Sequence, residues 1–407
     1  MVEPARPGGP LAGVRVVDLT QMLAGPYCSM LLSDMGADVV KVEPPTGDFI
    51  RMAGPQRASG EAYGGYFQSI NRGKRSVVLD LREPAGRVAL LALVQDADVV
   101  LENFRAGVME KLGVPYERLR EVNPKLVYGC IRGFGDPRTG ASPYADWPAY
   151  DIVAQAMGGL MGVTGEADGE PMKVGPGVGD IFPGALLTAG VLAALTHVRA
   201  GGDGQMVDVS MYDSIVSLCE RIVYQYSCSG VSPSRQGNTH PIFEPYGVYR
   251  CADGWVALAA PNDAYWTTLC RLMARDDLLS EPLFATVELR RVNATSLRME
   301  LSAWFAHHTV EEVVTRIGGH VPVGPVHMAE NLFHDPHLKA REMLVDLEHP
   351  GTDTTVTVAG NPIKFTETPH PVTRRAPLLG EHTDEVLTVA AMRIEDGAAL
   401  RRSDVED

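Results

Sequence analysis

The most restrictive feature of the chain is the rhythm of its first half. Short apolar runs at Val14 to Leu19, Val39 to Val42, Ser76 to Leu79, Val99 to Leu101 and Leu126 to Ile131 alternate with segments of helical periodicity. In the segment opened by Pro84, Leu90, Leu93, Val94 and Ala97 recur at i, i+3, i+4 and i+7, the spacing of one helix face. A run that is apolar at nearly every position, rather than at alternate ones, fits a strand buried on both faces. Strands of that kind joined by helices run parallel, in an open sheet with helices on either side. The expectation is an α/β fold with a doubly wound, Rossmann-like large domain. A further strand, Met206 to Val209, follows the apolar helix Phe182 to His197, and one helix is expected over Tyr212 to Tyr226.

After Tyr226 the texture changes. Ser227 to Pro245 is rich in Gly, Ser, Pro and Asn, as domain borders are. Tyr246 to Arg250 and Trp255 to Ala259, joined through Asp253-Gly254, read as a hairpin, and helical patterns continue to about Gly318. The chain has 407 residues, more than one core comfortably fills. Three parts are therefore expected: residues 1–226 as the large α/β domain, 227–344 as a linker and smaller α+β domain, and 345–407 as a segment returning to the large domain.

Lys and Arg number 36 against 51 Asp and Glu, a net charge of -15. That excludes general binding to nucleic acid or to an anionic membrane surface, and a polyanionic ligand would need a local basic pocket. Arg72, Lys74, Arg75, Arg105 and Lys111 are the cations that such a pocket would draw on. The apolar stretch Ala185 to Leu195 is well short of the ~20 residues that cross a bilayer. Met1 to Pro10 lacks a secretory pattern, and the six cysteines form no C-x-x-C pair. A cytoplasmic protein with reduced thiols and no metal site is expected. No G-x-G-x-x-G follows the first strand, and neither G-x-x-x-x-G-K-[ST] nor G-x-S-x-G occurs, so nucleotide cofactors and serine hydrolysis recede.

The most informative stretch is Val174-Gly175-Pro176-Gly177-Val178-Gly179-Asp180, where three glycines deliver a carboxylate at a helix start. Asp is a favoured N-cap, so a plain cap is one reading. The other is a carboxylate nucleophile, kept ionised by the helix dipole, with flanking glycines that leave room for a substrate carbonyl.

Seven stretches in order resemble one family: Leu11 to Asp18, Ala24-Gly25-Pro26, Gly36 to Glu43, Asn71 to Ser76, Glu102-Asn103-Phe104, Val178-Gly179-Asp180 and Leu379 to Leu387. The chain is similar over nearly its whole length to the class III CoA-transferases, the CaiB/BaiF family that includes formyl-CoA transferase and carnitine CoA-transferase. The resemblance implies a large domain built from both chain ends, a small inserted domain, and an interlocked homodimer. It implies acyl-CoA and a carboxylic acid as substrates, succinyl-CoA or another short acyl-CoA as donor, and no permanently bound cofactor. Asp180 matches the family's catalytic aspartate, which passes through aspartyl anhydride and aspartyl-CoA thioester intermediates. CoA-binding positions carry over to Leu23, Ala24, Leu79, Asp80, Leu81, Arg82, Asn103, Phe104, Arg105, Lys111, Ala149, Tyr150 and Asp151. Arg75 joins them as a basic candidate.

Two departures stand out. Pro44 occupies a position where the family has Arg, leaving a CoA contact to be supplied by Arg51 or Arg75, and Leu23 stands where the family has Gln. Backbone N–H groups of Gly179 or Gly237 are the oxyanion candidates. Gly237 and Asn238, in the polar stretch Arg235 to His240, resemble a mobile loop over the active site, and Tyr150 and His240 are candidates for contact with the acids. Two alternatives accompany the transferase. An α-methylacyl-CoA racemase on the same fold would carry His where Tyr150 stands, and a non-catalytic acyl-CoA-binding protein would lack turnover.

Overall fold

The computed structural model describes residues 8–55 and 63–389. Their described parts form two compact units, one from Met1–Leu160, Lys173–Gly230 and His337–Asp407, the other from Met161–Met172 and Val231–Pro336. The smaller unit thus begins and ends a few residues away from the 227–344 expected, and it takes in a short segment that the sequence reading left in the larger domain.

The larger unit is built on a six-stranded sheet. Its strands are β1 (Arg15–Asp18), β2 (Asp38–Glu43), β3 (Arg75–Val78), β4 (Val99–Glu102), β5 (Val127–Arg132) and β6 (Met206–Ser210). Every neighbouring pair is parallel and the order is β3-β2-β1-β4-β5-β6. This is the doubly wound order, in which the chain leaves β1 to one side and β4 to the other. Its helices are α1 (Ala24–Asp34), α2 (Gly65–Asn71), α3 (Pro84–Gln95), α4 (Val108–Lys111), α5 (Tyr116–Val122), α6 (Asp151–Met157), α8 (Val178–Arg199), α9 (Met211–Leu218) and α10 (Glu220–Ser229), while α7 (Leu160–Val163) falls, but for Leu160, in the smaller unit.

The strands are mostly apolar because both faces are covered. Val16, Val99, Leu101 and Val127 pack under α1 and α8, while Val17, Val40, Val77 and Val100 pack under α3 and α5. The expected helix from Tyr212 to Tyr226 is two helices, α9 and α10, broken at Cys219. α8 has 22 residues, longer than the apolar stretch suggested and long and apolar enough to cross a membrane by length and composition. Here Leu187, Val191, Ala194 and Leu195 bury one side of it in the core of the unit.

The smaller unit holds a three-stranded antiparallel sheet of β7 (Tyr246–Arg250), β8 (Trp255–Ala259) and β9 (Val323–Pro325). Against it lie α11 (Asp263–Leu272), α12 (Asp277–Ser280), α13 (Val287–Val292), α14 (Ala294–Ala306) and α15 (Val310–Ile317), with Trp266, Leu269, Leu301 and Phe305 in its core. In the larger unit the late strands β10 (Leu344–Glu348) and β11 (Thr355–Ala359) form an antiparallel pair. The chain then runs back along β3: the Tyr63 hydroxyl donates to the Ala376 carbonyl at 2.9 Å, and the His382 N–H donates to the Ser76 carbonyl at 3.0 Å.

Candidate active site

In an open parallel sheet a crevice forms beyond the carboxyl ends of the strands where the order reverses, here between β1 and β4. Gln21 and Met22 after β1, Asn103 to Ala106 after β4, and Arg132 and Gly133 after β5 line a cleft of about 340 Å³ at that place. The loops are tied together across the reversal. Asn103 accepts from the Gln21 N–H at 2.8 Å and donates its amide to the Gln21 carbonyl at 2.7 Å. Met22 is held in the left-handed region, φ 66°, unusual for a residue with a side chain. Ala145, Trp147, Ala149 and Tyr150 form another wall, and Asp180 reaches the cleft from α8.

Asp180 is the third residue of α8, whose N-cap is Gly177. The expected side-chain cap is therefore corrected: the Gly179 N–H donates instead to Asp151 Oδ1 at 2.8 Å, so a carboxylate from the first turn of α6 caps the helix from outside. A side chain at Gly179 would not fit, since a Cβ there would stand 2.8 Å from the Asp151 carbonyl oxygen. Asp151 is itself fixed by the Gln155 amide at 2.8 and 3.0 Å and by Lys173 at 3.4 Å. Among the described residues nothing donates to the Asp180 carboxyl. Burial, and then the Asp151 charge, push Asp180 up to about 7. Desolvation and a like charge thus act against the helix dipole, whose effect of ~0.3–1 kcal/mol is the smaller. Tyr66 is pushed up to about 12 by burial and by the charges of Asp180, Asp48 and Asp151.

A half-buried carboxyl with no donor among the described residues, with its value raised in a cleft, is suited to nucleophilic attack or proton transfer. Comparison with known proteins gives the family. The description of CoA-transferase family III matches residues 11–383. The chain belongs to this family. It is 53% identical to a succinyl-CoA:mesaconate CoA-transferase of Haloarcula hispanica, over 98% of this chain and all of that one. A succinate–glutarate CoA-transferase of Agrobacterium fabrum is 40% identical, over 93% of this chain and 95% of the relative. Among solved structures, a CaiB/BaiF family protein from Brucella suis superposes with a TM-score of 0.84 at 36% identity, covering 94% of this chain and all of that one. The protein is a CoA-transferase, which moves CoA between a CoA thioester and a carboxylic acid.

Of the positions carried over for CoA, this CoA-transferase brings Ala24, Asn103, Phe104, Arg105, Ala149 and Tyr150 together in the cleft with Asp180. Leu23 lies beside Gly177, 3.0 Å from where a Cβ there would stand. Asp151 is in the helix-capping position described above. Leu79 and Leu81 are core residues on the α3 face, and Asp80 is clasped by the Arg82 guanidinium at 2.7 and 2.9 Å. Lys111, in α4, and Arg105 are exposed and make no ion pair among the described residues.

The rest of the basic cluster is corrected. Arg72 is buried against Asp34 at 2.7 Å, Lys74 against Asp18 at 3.0 Å, and Arg75 pairs with Asp38 at 2.5 Å and Glu385 at 3.2 Å. Arg72 and Lys74 are held by buried carboxylates and Arg75 by partly exposed ones, because the segment Asn71 to Arg75 packs against the neighbouring segments as it leads into the edge strand β3. Arg51, the other candidate for the contact missing at Pro44, is buried on Glu43 at 2.6 Å and the Pro377 carbonyl at 3.1 Å.

The oxyanion candidates are corrected as well. The Gly179 N–H serves Asp151, and the Gly237 N–H donates to the Gly165 carbonyl at 2.9 Å within the smaller unit. Asn238 lies in that unit too, its carbonyl accepting from the Val248 N–H at 3.3 Å. His240 stacks on Phe243, and its Nδ1 accepts from the Ile242 and Phe243 N–H groups at 3.2 and 3.3 Å, which gives this ring nitrogen a structural role.

The sequence reading missed Gln21, Met22, Arg132, Trp147 and Met211. Gln21, Met22 and Arg132 each end or follow a strand at the reversal, and that position was a usable signal. Trp147 and Met211 come from segments that only folding brings to the cleft.

Proposed function

We propose that this CoA-transferase carries CoA from succinyl-CoA to a small dicarboxylic acid of the mesaconate type, with Asp180 as nucleophile. The Asp180 carboxylate attacks the succinyl thioester carbonyl and expels CoA thiolate, giving a mixed anhydride. The thiolate then attacks the aspartyl carbonyl and releases succinate, leaving CoA on Asp180 as a thioester. The acceptor carboxylate attacks that thioester, the thiolate leaves again, and its attack on the acceptor's acyl carbon gives the new CoA thioester and frees Asp180. Every bond broken to an activated carbonyl is replaced by another, so no nucleotide hydrolysis is needed. The proposed acids follow from the relatives, which are named for succinyl-CoA with mesaconate and for succinate with glutarate.

The observation that carries the reading is the Asp180 carboxyl. It is half-buried, has no hydrogen-bond donor among the described residues, and opens on a cleft lined by Asn103, Phe104 and Arg105. An undonated carboxylate is a stronger nucleophile than one held by N–H groups, and Asp151 beside it disfavours a resting negative charge that the acyl intermediates remove. Incubation with succinyl-CoA followed by hydroxylamine, read by peptide mass spectrometry, should mark Asp180. Full activity with an unmarked Asp180 would end the covalent scheme.

The working form is proposed to be the interlocked homodimer of the family. Val216, Leu218, Val223, Tyr224 and Tyr226 on α9 and α10 are exposed in the single chain, an apolar surface that a partner would cover. Light scattering after gel filtration should give twice the chain mass.

A further inference from the structure

Beneath Phe104 the cleft floor contains a buried charge pair to which the steps above give no role. Glu102 ends β4 and Arg132 ends the adjacent β5, and both are almost wholly shielded from solvent. Arg132 Nη2 donates to Glu102 Oε1 at 2.6 Å. The other groups of the pair go to one peptide segment. Glu102 Oε2 accepts from the Phe104 N–H at 2.7 Å, and Arg132 Nε donates to the Phe104 carbonyl at 3.3 Å. The main chain of Phe104 is therefore gripped at both polar groups from below, while Phe104, whose ring packs on the core beneath, and the following Arg105 line the cleft. Tyr128 braces the carboxylate with a hydroxyl at 3.1 Å, and Asp136 braces the guanidinium from the far side.

Such a pair is an expensive way to hold a core together. A buried ion pair contributes little net stability compared with apolar side chains of the same volume, and its better-attested use is to fix one geometry among several. The geometry fixed here is that of an aromatic ring followed by an otherwise unpaired guanidinium at the cleft. Those two groups suit a purine face and a phosphate.

We propose that Glu102 and Arg132 are positioning residues that hold Phe104 and Arg105 for the nucleotide end of acyl-CoA. The inference rests on the reading of this cleft as the CoA site. It assigns the pair to recognition of the nucleotide and not to the acyl transfer step.

The test compares kcat/KM of the full-length protein for succinyl-CoA and for succinyl-pantetheine, the same thioester without the nucleotide. Glu102→Gln keeps the shape and removes the charge. It should lower kcat/KM for succinyl-CoA about tenfold, the scale of one charge-assisted hydrogen bond, and change it less than about twofold for succinyl-pantetheine. Arg132→Lys keeps the cation without the fork and should give the same selective loss at smaller size. An equal fall with both thioesters would make the pair structural glue, and no fall with either would remove it from binding; both results overturn the proposal. Should Glu102→Gln fail to fold, Arg132→Lys and Tyr128→Phe carry the comparison. A wild-type protein that transfers from neither thioester would sink the proposed function itself, and that control tells the two failures apart.

Discussion

Two aspartates of the larger unit, one buried and one half-buried, have opposite fates. Asp18, at the end of β1, is wholly enclosed, yet it meets Lys74 at 3.0 Å, the Ser29 hydroxyl at 2.6 Å and the hydroxyl and N–H of Thr20. Burial pushes its carboxyl up, but Lys74, Lys41 and these hydroxyls outweigh burial and hold it below the ordinary value. Asp180 is half-buried, its near neighbour is another carboxylate, and it rises to about 7. The first is compensated on every side and serves structure. The second is left uncompensated, the condition that the proposed nucleophile requires.

The contrast can be broken in four ways. The largest expected effect is on Asp180→Asn, which should lower the transfer rate by at least about a thousandfold, the scale of losing a nucleophile, while calorimetry still detects CoA binding. Transfer within tenfold of wild type would remove the distinction between the two residues.

Asp18→Asn acts on stability. It leaves Lys74 without its carboxylate and should cost about 3–5 kcal/mol in urea unfolding, the range for a broken buried pair. A loss below about 1 kcal/mol would mean the network is not compensating anything.

Asp151→Asn keeps an acceptor for the Gly179 N–H and removes the charge beside Asp180. The acid limb of the kcat/KM profile, set near pH 7 by Asp180, should move to lower pH, with about a tenfold loss at pH 8 from the altered site. An unmoved limb would show that Asp151 does not act on Asp180 through charge.

The smallest effect concerns stability against pH, where the two aspartates should have opposite signs. Asp18 has a lowered value, so its contribution is present above pH 3.8 and is lost as pH falls below it. Asp180 has a raised value, so the folded chain holds a proton between pH 3.8 and about 7 that the unfolded chain has released, and stability falls as pH rises through that window. Asp180→Asn should therefore be more stable than wild type at pH 8, by about 1–2 kcal/mol after allowance for partial solvent access, and no more stable near pH 4. Thermal unfolding at the two pH values measures this, and equal stabilities at pH 8 would count against a destabilising charge.

The sheet was legible because each strand is buried on both faces and reads as an apolar run, whatever packs against it. The split at Cys219 was not, since no Gly or Pro marks it and both halves keep helical spacing. In the site, Asp180 stood out through Gly177 and Gly179, and Asn103 to Arg105 through the resemblance of Glu102-Asn103-Phe104 to the family. Arg72, Lys74 and Arg75 misled because a run of cations looks the same whether it faces solvent or meets Asp34, Asp18 and Asp38 from distant segments.

By itself, then, the sequence determined what depends on neighbours along the chain: the order of strands and helices, the glycine-rich approach to Asp180, and the seven stretches that mark the CoA-transferase family. Tertiary structure alone decided what depends on segments far apart. It set the strand order that opens a cleft between β1 and β4. It placed Asp151 as the cap of α8, closed the Glu102–Arg132 grip on Phe104, and assigned which carboxylates are neutralised and which are left bare. Charge and desolvation act through space over a few ångströms, and which groups come within that distance is settled only when the chain has folded.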